Sequence, residues 1–419
     1  MFKLYIAILT ALCPLALFSE VSSQGNIAFE NRIFEDDKNA LTVDQNNSIA
    51  ADLEVNLEKG ILSSKVKVFS RTDLRDNNRD VFYLTEAYLK WQGETQSLSL
   101  GTHKFNWSSN EAFHPLDSLN SRNFDGNFEN AEKLGEPSLL YKYESDNYFV
   151  DLGFLPSLTI PLLPAASNRL SFSSVALSKP YWIDSKNQLN TTNWVAHAVP
   201  QYFFKWSGNY FNADINISYL DHLSRENVIM AFDGVMSTNH AVFVPVKQMG
   251  LGVQKAFSEW IVKLEALNRD FVESSAMSLG SLSVLQDVAD HSVVALGLEN
   301  GFTHSSGGES TFIFEYQKIL GVEKAVAQSL NAFQNDILLG WRFAFNNING
   351  SEIFVSVIYD LEKESEYLFN LSYSSRLSDV WKYSAGYRSY ESTSTSVPPN
   401  GFENFKESDH LFFNLSRYF

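Results

Sequence analysis

Hydrophobic and polar residues alternate along most of this chain, which is the pattern of β-strands with two different faces. Between residues 49 and 58, apolar side chains take every second position, and acidic or amide side chains take most positions between them. A tight turn at Lys59-Gly60 leads into a second alternating segment at residues 62–71. The chain holds about eighteen such segments, within a range of roughly 16–18, and is therefore predicted to be all-β.

The connections between the predicted strands are alternately short and long. Tight turns stand at Gly93-Glu94 and Asp146-Asn147, whereas residues 106–136 and 156–199 form long connections. Barrels of the bacterial outer membrane sort their connections in this way, with short periplasmic turns and long extracellular loops. We therefore predict a transmembrane antiparallel up-and-down β-barrel.

The final segment, residues 409–419, is an alternating strand that ends on an aromatic residue. One face of it carries four apolar side chains: Leu411, Phe413, Leu415 and Phe419. This end resembles the strand that the barrel-assembly machinery recognises, although Arg417 stands where such strands usually carry an apolar residue. The alternative is an ordinary amphipathic edge strand. We expect the first, with this strand closing the barrel.

The amino-terminal residues predict an export signal. Lys3 is the only charged residue before an apolar run at 4–18, and residues 21–23 offer a cleavage site. This is the pattern of a secretory signal peptide. We place the signal peptide at residues 1–23 and a single barrel domain at residues 24–419.

Composition narrows the class of protein further. The only cysteine, Cys13, lies in the predicted leader, so the remaining residues, about 396, need no disulfide or thiol chemistry. The net charge of −17 argues against a nucleic-acid partner. After the leader, no apolar run is long enough for a membrane helix, so a membrane crossing would require a closed barrel. The predicted location is the bacterial outer membrane.

No catalytic or metal-binding motif is found in the sequence. His-Glu-x-x-His, Cys-x-x-Cys, Gly-x-Ser-x-Gly and phosphate-binding glycine-rich patterns are all absent. The eight histidines are scattered and do not stand at metal-ligand spacing. We therefore predict no enzyme activity, no cofactor and no metal site.

Three neighbouring stretches resemble a known family. They are Glu-Ala-Tyr-Leu at 86–89, Gly-Thr-His-Lys-Phe-Asn-Trp at 101–107 and Pro-Leu-Asp-Ser-Leu-Asn-Ser-Arg at 115–122. Together they resemble a proteobacterial outer-membrane porin-like family of poorly defined function. Its members carry an EAYL-type strand, a Gly-Arg-Gln-x-x-x-Trp-Gly strand end and an Asp-x-x-Asn-Pro-Arg-Asp loop. The alginate-export porins show a looser likeness. The resemblance implies a porin-like barrel.

The departures from this family pattern bear on the charge inside the barrel. Thr102 and His103 stand where the family has Arg and Gln, so Lys104 or Arg122 would supply that luminal charge here. Wide barrels are commonly narrowed by a loop folded into the channel, and the two candidates for such a loop are residues 106–136 and residues 156–199. The candidates for the pore constriction are Lys104, Asp117, Arg122 and Asp125.

The charged positions of the strands are predicted to face a hydrated lumen. A lysine or arginine at the lipid midplane would cost about 2–4 kcal/mol, whereas one facing water costs little. The candidate lumen-lining residues are Lys65, Lys67, Glu86, Lys90, Lys263, Arg269, Arg342, Lys382 and Arg388. In a sheet with its apolar side packed inward, the same alternation would give a solvated outer face instead.

The second long connection, residues 156–199, begins with a proline-broken apolar stretch at 156–164. It is too broken for a strand and too apolar for a freely solvated loop. We expect it to pack on the barrel rim or a neighbouring protomer. The alternative is an apolar contact for an amphipathic solute.

These observations predict an outer-membrane porin that passes small solutes by diffusion through a loop-constricted aqueous lumen. The predicted partners are outer-membrane lipid, lipopolysaccharide, the barrel-assembly machinery through the strand ending at Phe419, a small solute and other copies of the chain. Two alternatives stay open. One is a specialised exporter of lipid or polysaccharide, and the other is a secreted soluble all-β binding protein or hydrolase.

Overall fold

The computed structural model of the protein describes residues 20–35, 42–125, 129–171, 180–183, 189–191, 199–225, 229–271, 282–284, 288–363, 365–393 and 401–419. Most of the predicted signal peptide, including Cys13, lies outside the described residues. The leader and its cleavage site therefore stay predictions.

Eighteen antiparallel strands form one sheet, and strands that follow one another in this sheet are paired. The first nine are β1 Glu20–Phe34, β2 Gln45–Lys59, β3 Leu62–Asp73, β4 Val81–Gln92, β5 Gln96–His103, β6 Glu136–Glu144, β7 Tyr148–Leu155, β8 Gln201–Tyr210 and β9 Ala213–Leu223. The other nine are β10 Pro245–Phe257, β11 Trp260–Phe271, β12 His291–Thr303, β13 Glu309–Leu320, β14 Asn335–Ala344, β15 Glu352–Asp360, β16 Tyr367–Arg376, β17 Trp381–Glu391 and β18 His410–Tyr418. This up-and-down order confirms the prediction of an all-β fold with eighteen strands.

The sheet closes on itself because β1 also pairs with β18. Residues 26–34 of β1 pair with residues 410–418 of β18. The backbones of Gly25 and Phe419 exchange two hydrogen bonds of 3.1 Å. A closed sheet has no unpaired edge, which is the condition for strands to cross a membrane. β1 extends past the predicted cleavage point, since residues 20–23 pair with β2.

The two rims of the barrel differ in their connections. We call the end with the short turns the turn rim and the end with the long loops the loop rim. Gly60 adopts a φ of +57° in the turn between β2 and β3, a conformation that glycine reaches without strain. β1 begins and β18 ends at the turn rim, so both described ends of the barrel lie on one side. The predicted alternation of short and long connections is confirmed.

Apolar side chains cover the outside of the barrel between the rims. On β18, Leu411 is 57% exposed whereas the neighbouring His410, on the inner face, is 4% exposed. Five tryptophans lie close to the strand ends at the turn rim: Trp91, Trp206, Trp260, Trp341 and Trp381. Aromatic belts of this kind mark a membrane boundary. The outer surface is therefore suited to lipid.

Shorter elements cover the loop rim. Five short strands form a separate sheet: Tyr181–Ile183, Leu189–Thr191, Ile229–Asp233, Thr238–Phe243 and Leu282–Val284. Two-residue strands, Arg122–Asn123 and Glu132–Lys133, pair with each other. The described helices are the 3₁₀ turns Asn77–Arg79 and Phe402–Asn404 and the α-helix α1 Lys324–Leu330. None of these helices is long and apolar enough to cross a membrane.

Part of the barrel interior is filled with apolar side chains. One cluster joins inner-face residues of three strands, Leu338, Ile358 and Leu368, to Ala112 and Phe113. The last two residues belong to the loop between β5 and β6. This loop therefore lies inside the barrel, against the inner face of its strands.

Candidate constriction in the barrel lumen

The loop between β5 and β6, residues 104–135, crosses the lumen, and we call it the constriction loop. Its described residues make polar contacts with inner-wall side chains on opposite sides of the barrel. These wall residues are Arg32, Arg71, Tyr83, Gln248, Glu265, Glu315, Arg342 and Arg388. A loop bound to the wall on several sides narrows the channel that a barrel of this strand number would otherwise enclose.

Asp125, in the second half of the constriction loop, is bound by three arginines. Its carboxylate accepts hydrogen bonds from Arg32 of β1 at 3.4 Å, from Arg71 of β3, and from Arg79 at 3.0 Å. Arg79 also contacts Asp73 of β3. Burial alone would raise the pKa of Asp125, but the three positive charges outweigh burial and lower this pKa. The carboxylate therefore stays ionised and fixes this part of the loop to the wall.

A second carboxylate of the loop, Asp117, stabilises the loop's own fold. It accepts hydrogen bonds from the backbone N–H groups of Trp107 at 2.6 Å and Ser108 at 3.1 Å. Lys133 donates to Asp117 at 2.5 Å and to the carbonyl oxygen of Phe105 at 2.9 Å. Burial raises the pKa of Asp117, but the charge of Lys133 outweighs it, and this pKa is lowered. The pair joins the two ends of the loop.

The two remaining constriction candidates differ in burial. Arg122 is buried, and its guanidinium donates to the carbonyl oxygens of Ala131 at 3.0 Å and Asp117 at 3.4 Å. Lys104 is half-buried, and within the described residues it forms no ion pair. Asp117 and Arg122 thus hold the loop together, whereas Lys104 lies where the loop leaves β5. Their role in selecting solutes stays a prediction.

Charged pairs line the inner face of β2–β4 towards the turn rim. Lys65 lies 2.8 Å from Glu86 and 3.4 Å from Glu54, and Lys67 lies 3.3 Å from Asp52. All five side chains are partly exposed on the lumen side. Acids and bases alternate here, so this wall presents little net charge. The predicted lumen residues Lys90 and Lys382 are also half-buried.

The other predicted lumen residues lie under the loops. Lys263 of β11 pairs with Glu299, and Arg342 of β14 donates to Glu111 of the constriction loop at 2.9 Å. Arg388 of β17 contacts both carboxylate oxygens of Glu129 at 2.6 Å. Arg269 is buried and donates to Gln248 at 3.3 Å. These residues hold loops and neighbouring side chains in place.

The stretches that carry the family resemblance meet in the structure. Tyr88 of β4 pairs with Gly101 of β5, where a Cβ atom would lie 2.2 Å from the carbonyl oxygen of Ala87. His103 stacks on Tyr88 with 4.8 Å between ring centres and contacts the hydroxyls of Ser99 and Ser138. The motif therefore forms a close-packed part of the wall from which the constriction loop departs.

The proline-broken stretch after β7 packs on the constriction loop. Leu162 exchanges backbone hydrogen bonds with Arg122 at 3.0 Å and Phe124 at 2.9 Å. Leu158 is buried against Leu223, at the end of β9, and Phe243 of the loop-rim sheet. This agrees with the expected packing on the rim and gives no support to an apolar solute site.

A fully buried ion pair lies at the loop rim beside the constriction loop. Arg225, after β9, donates to Glu136 of β6 at 3.1 Å, and neither side chain is exposed. Glu136 also accepts from the backbone N–H groups of Ser121 at 2.9 Å and Thr159 at 3.0 Å. The pair therefore joins β6, the constriction loop and the connection after β7.

Several of these residues were not among the sequence candidates. Arg32 and Arg71 lie on strands with alternating apolar and polar residues, at positions that face the lumen. Their place in this alternation is the only feature of the sequence that could have marked them as lumen residues. Arg79, in a short loop, and Arg225 give no such signal. Among the described residues, no group of three or more His, Cys, Asp or Glu side chains is arranged to hold a metal ion.

No protein-family model and no curated protein matches the sequence. Solved structures do match it. OpdK of Pseudomonas aeruginosa, solved with vanillate, matches over 95% of this chain and 98% of its own, with a TM-score of 0.55 and 9% identity. OpdL of the same organism matches over 96% and 99%, with a TM-score of 0.54 and 11% identity. OccAB2 of Acinetobacter baumannii matches over 96% and 98%, with a TM-score of 0.53 and 10% identity.

At this level of identity the likeness shows a shared fold. The chain has the architecture of an eighteen-stranded outer-membrane barrel along almost its whole length, as the resemblance implied. The finer assignment to the porin-like family and the looser likeness to alginate-export porins stay predictions.

Proposed function

We propose that the protein is a porin of the bacterial outer membrane that passes small solutes by diffusion. The observation that carries this proposal is a loop crossing the lumen of a closed barrel whose outer surface is apolar. Such a barrel conducts through the space that the loop leaves open. A lumen crossed by a loop favours small solutes over a polysaccharide chain, and a closed barrel does not favour a soluble binding protein. We propose no catalytic role.

The proposal extends to the surroundings of the barrel. The apolar outer surface and the tryptophans at the turn rim suit phospholipid and lipopolysaccharide, and Phe419 would be read by the barrel-assembly machinery. Contacts with other copies of the chain remain part of the proposal. Co-fractionation with the outer membrane and heat-modifiable migration on detergent gels test the location, and a soluble protein that migrates alike before and after heating would refute it.

Single-channel recording in planar bilayers tests the channel itself. Discrete, stable conductance steps are expected from the purified protein, and their absence would overturn the proposal. Because OpdK was solved with vanillate, an aromatic carboxylate is a suitable first compound to test for block of the current.

Weak charge selectivity is expected of the wild-type channel. Acids and bases of the lumen wall are paired, as Lys65 is with Glu54 and Glu86 and as Lys67 is with Asp52. Reversal potentials under a KCl gradient should therefore lie close to zero. A strong preference for anions or cations would contradict this expectation.

Replacing Asp125 with Asn is expected to shift the channel towards anions. The change removes the carboxylate that Arg32, Arg71 and Arg79 share, so the lumen gains positive charge. The anion-to-cation permeability ratio should rise by about twofold or more. Asp146→Asn, in an exposed turn at the other rim, is the control and should leave the ratio unchanged.

A further inference from the structure

The segment of the constriction loop at residues 108–113 is bound to side chains of the barrel wall. The backbone N–H groups of Ser109, Glu111, Ala112 and Phe113 all donate to wall carboxylates. The carbonyl oxygen of Ser109 accepts from Lys263 Nζ at 2.5 Å. Since polar backbone groups inside a protein must be paired, the wall supplies the partners that a strand or helix would otherwise provide.

Two wall carboxylates take most of these hydrogen bonds. Glu315 of β13 accepts from three consecutive backbone N–H groups: Glu111, Ala112 at 3.0 Å and Phe113 at 3.1 Å. Glu265 of β11 accepts from the backbone of Ser109 at 2.6 Å and from the hydroxyls of Ser108 at 2.7 Å and Ser109 at 3.1 Å. Both carboxylates are buried by the loop, at 1% exposure.

The strand between the two carboxylates leaves space for the loop. On the inner face of β12, Gly297 lies beside Asn110, and a Cβ atom at Gly297 would stand 2.4 Å from the side-chain oxygen of Asn110. The next inner-face residue, Ala295, is also small and fully buried. The segment therefore lies directly on the wall where β12 has small side chains, and the carboxylates flank it on β11 and β13.

The charge of these side chains matters because every partner is a donor. An ionised carboxylate only accepts hydrogen bonds, whereas an amide of the same shape turns an N–H group towards the loop's own N–H groups. Hydrogen bonds to a charged acceptor are also stronger than neutral ones. A Glu-to-Gln change therefore keeps the size of the side chain, replaces one of its two acceptor oxygens with a donor and weakens its hold on the loop.

We propose that Glu265 and Glu315 are the positioning residues of the constriction. They hold residues 108–113 against β11–β13 and so set the width that stays open in the lumen. This inference rests on the proposed channel function. The competing account is that apolar packing of Phe113 against Phe333, with ring centres 5.5 Å apart, fixes the loop without help from the carboxylates.

Amide hydrogen exchange and single-channel recording together test the proposal. In the double variant Glu265→Gln and Glu315→Gln, the amides of residues 108–113 should exchange at least about tenfold faster than in the wild type. Conductance should rise or fluctuate between levels. The single variants should show smaller changes of the same kind, and they decide the test if the double variant does not fold. Glu315→Asp keeps the charge and should restore part of the protection.

Glu309→Gln is the matched control, because Glu309 lies on the inner face of the same strand and is exposed. It should change neither exchange nor conductance. Lowered thermal stability of the double variant with wild-type exchange and wild-type conductance would overturn the proposal in favour of apolar packing. If the wild-type protein forms no channel, the porin function fails, and exchange at residues 108–113 still decides whether the carboxylates position the loop.

Discussion

Deleting residues 110–128 from the constriction loop is expected to raise the single-channel conductance by at least about twofold, because a barrel of eighteen strands encloses an aqueous channel once no loop crosses it. The deletion removes the contacts to Glu315 and Arg342 on one side and the contact of Asp125 with Arg71 on the other. Recording in planar bilayers measures the effect directly.

Heat-modifiable migration must first show that the deletion variant forms a barrel. Each barrel strand pairs with other barrel strands, and the two-residue strands of the loop form a separate sheet, so the barrel should assemble. Replacing Val235 and Met236 with Ser, at an exposed tip of the loop rim, is the control and should leave conductance unchanged. A folded deletion variant with wild-type conductance would show that the loop does not limit the current.

The barrel could be predicted from the sequence because each strand must separate lipid from water. That requirement imposes a period of two residues on every strand, and a shift of one residue would turn charged side chains to the lipid. Strand order then follows chain order in an up-and-down barrel. The alternation on β18, with Leu411 outward and His410 inward, is one such example.

The path of the constriction loop could not be predicted in the same way. Asp125 meets Arg32, Arg71 and Arg79, which are 93, 54 and 46 residues away in the chain. No periodicity relates these positions, because a loop has no face that must point to lipid. Charge alone suggested Asp117 and Asp125 equally as constriction residues. In the structure Asp117 binds groups within the loop, whereas Asp125 binds arginines of the barrel wall.

The pairing of Asp117 with Lys133 shows the same limit. The contact depends on a two-residue ladder that places Arg122 opposite Lys133. Ladders of this length leave no pattern in the sequence, since a strand signal needs several alternating residues. Local motifs drew attention to this loop, and long-range contacts decided the role of each side chain in it.

Replacing Arg225 with Met is expected to destabilise the loop rim by about 3–5 kcal/mol, because it leaves the carboxylate of Glu136 buried without its cation. Neither residue is exposed, so water cannot replace the lost partner. Glu136 also binds the backbones of Ser121 and Thr159, so loosening should reach the constriction loop. Urea or heat unfolding in detergent, followed by gel migration, measures the loss.

Two further variants separate the buried pair from a general charge effect. Adding Glu136→Gln to Arg225→Met should recover part of the stability, because no unpaired charge then remains buried. Lys67→Met breaks the half-exposed pair with Asp52, at 3.3 Å, and should cost only about 0–1 kcal/mol. Equal losses for Arg225→Met and Lys67→Met would contradict this account, because burial would then make no difference to the strength of an ion pair in this barrel.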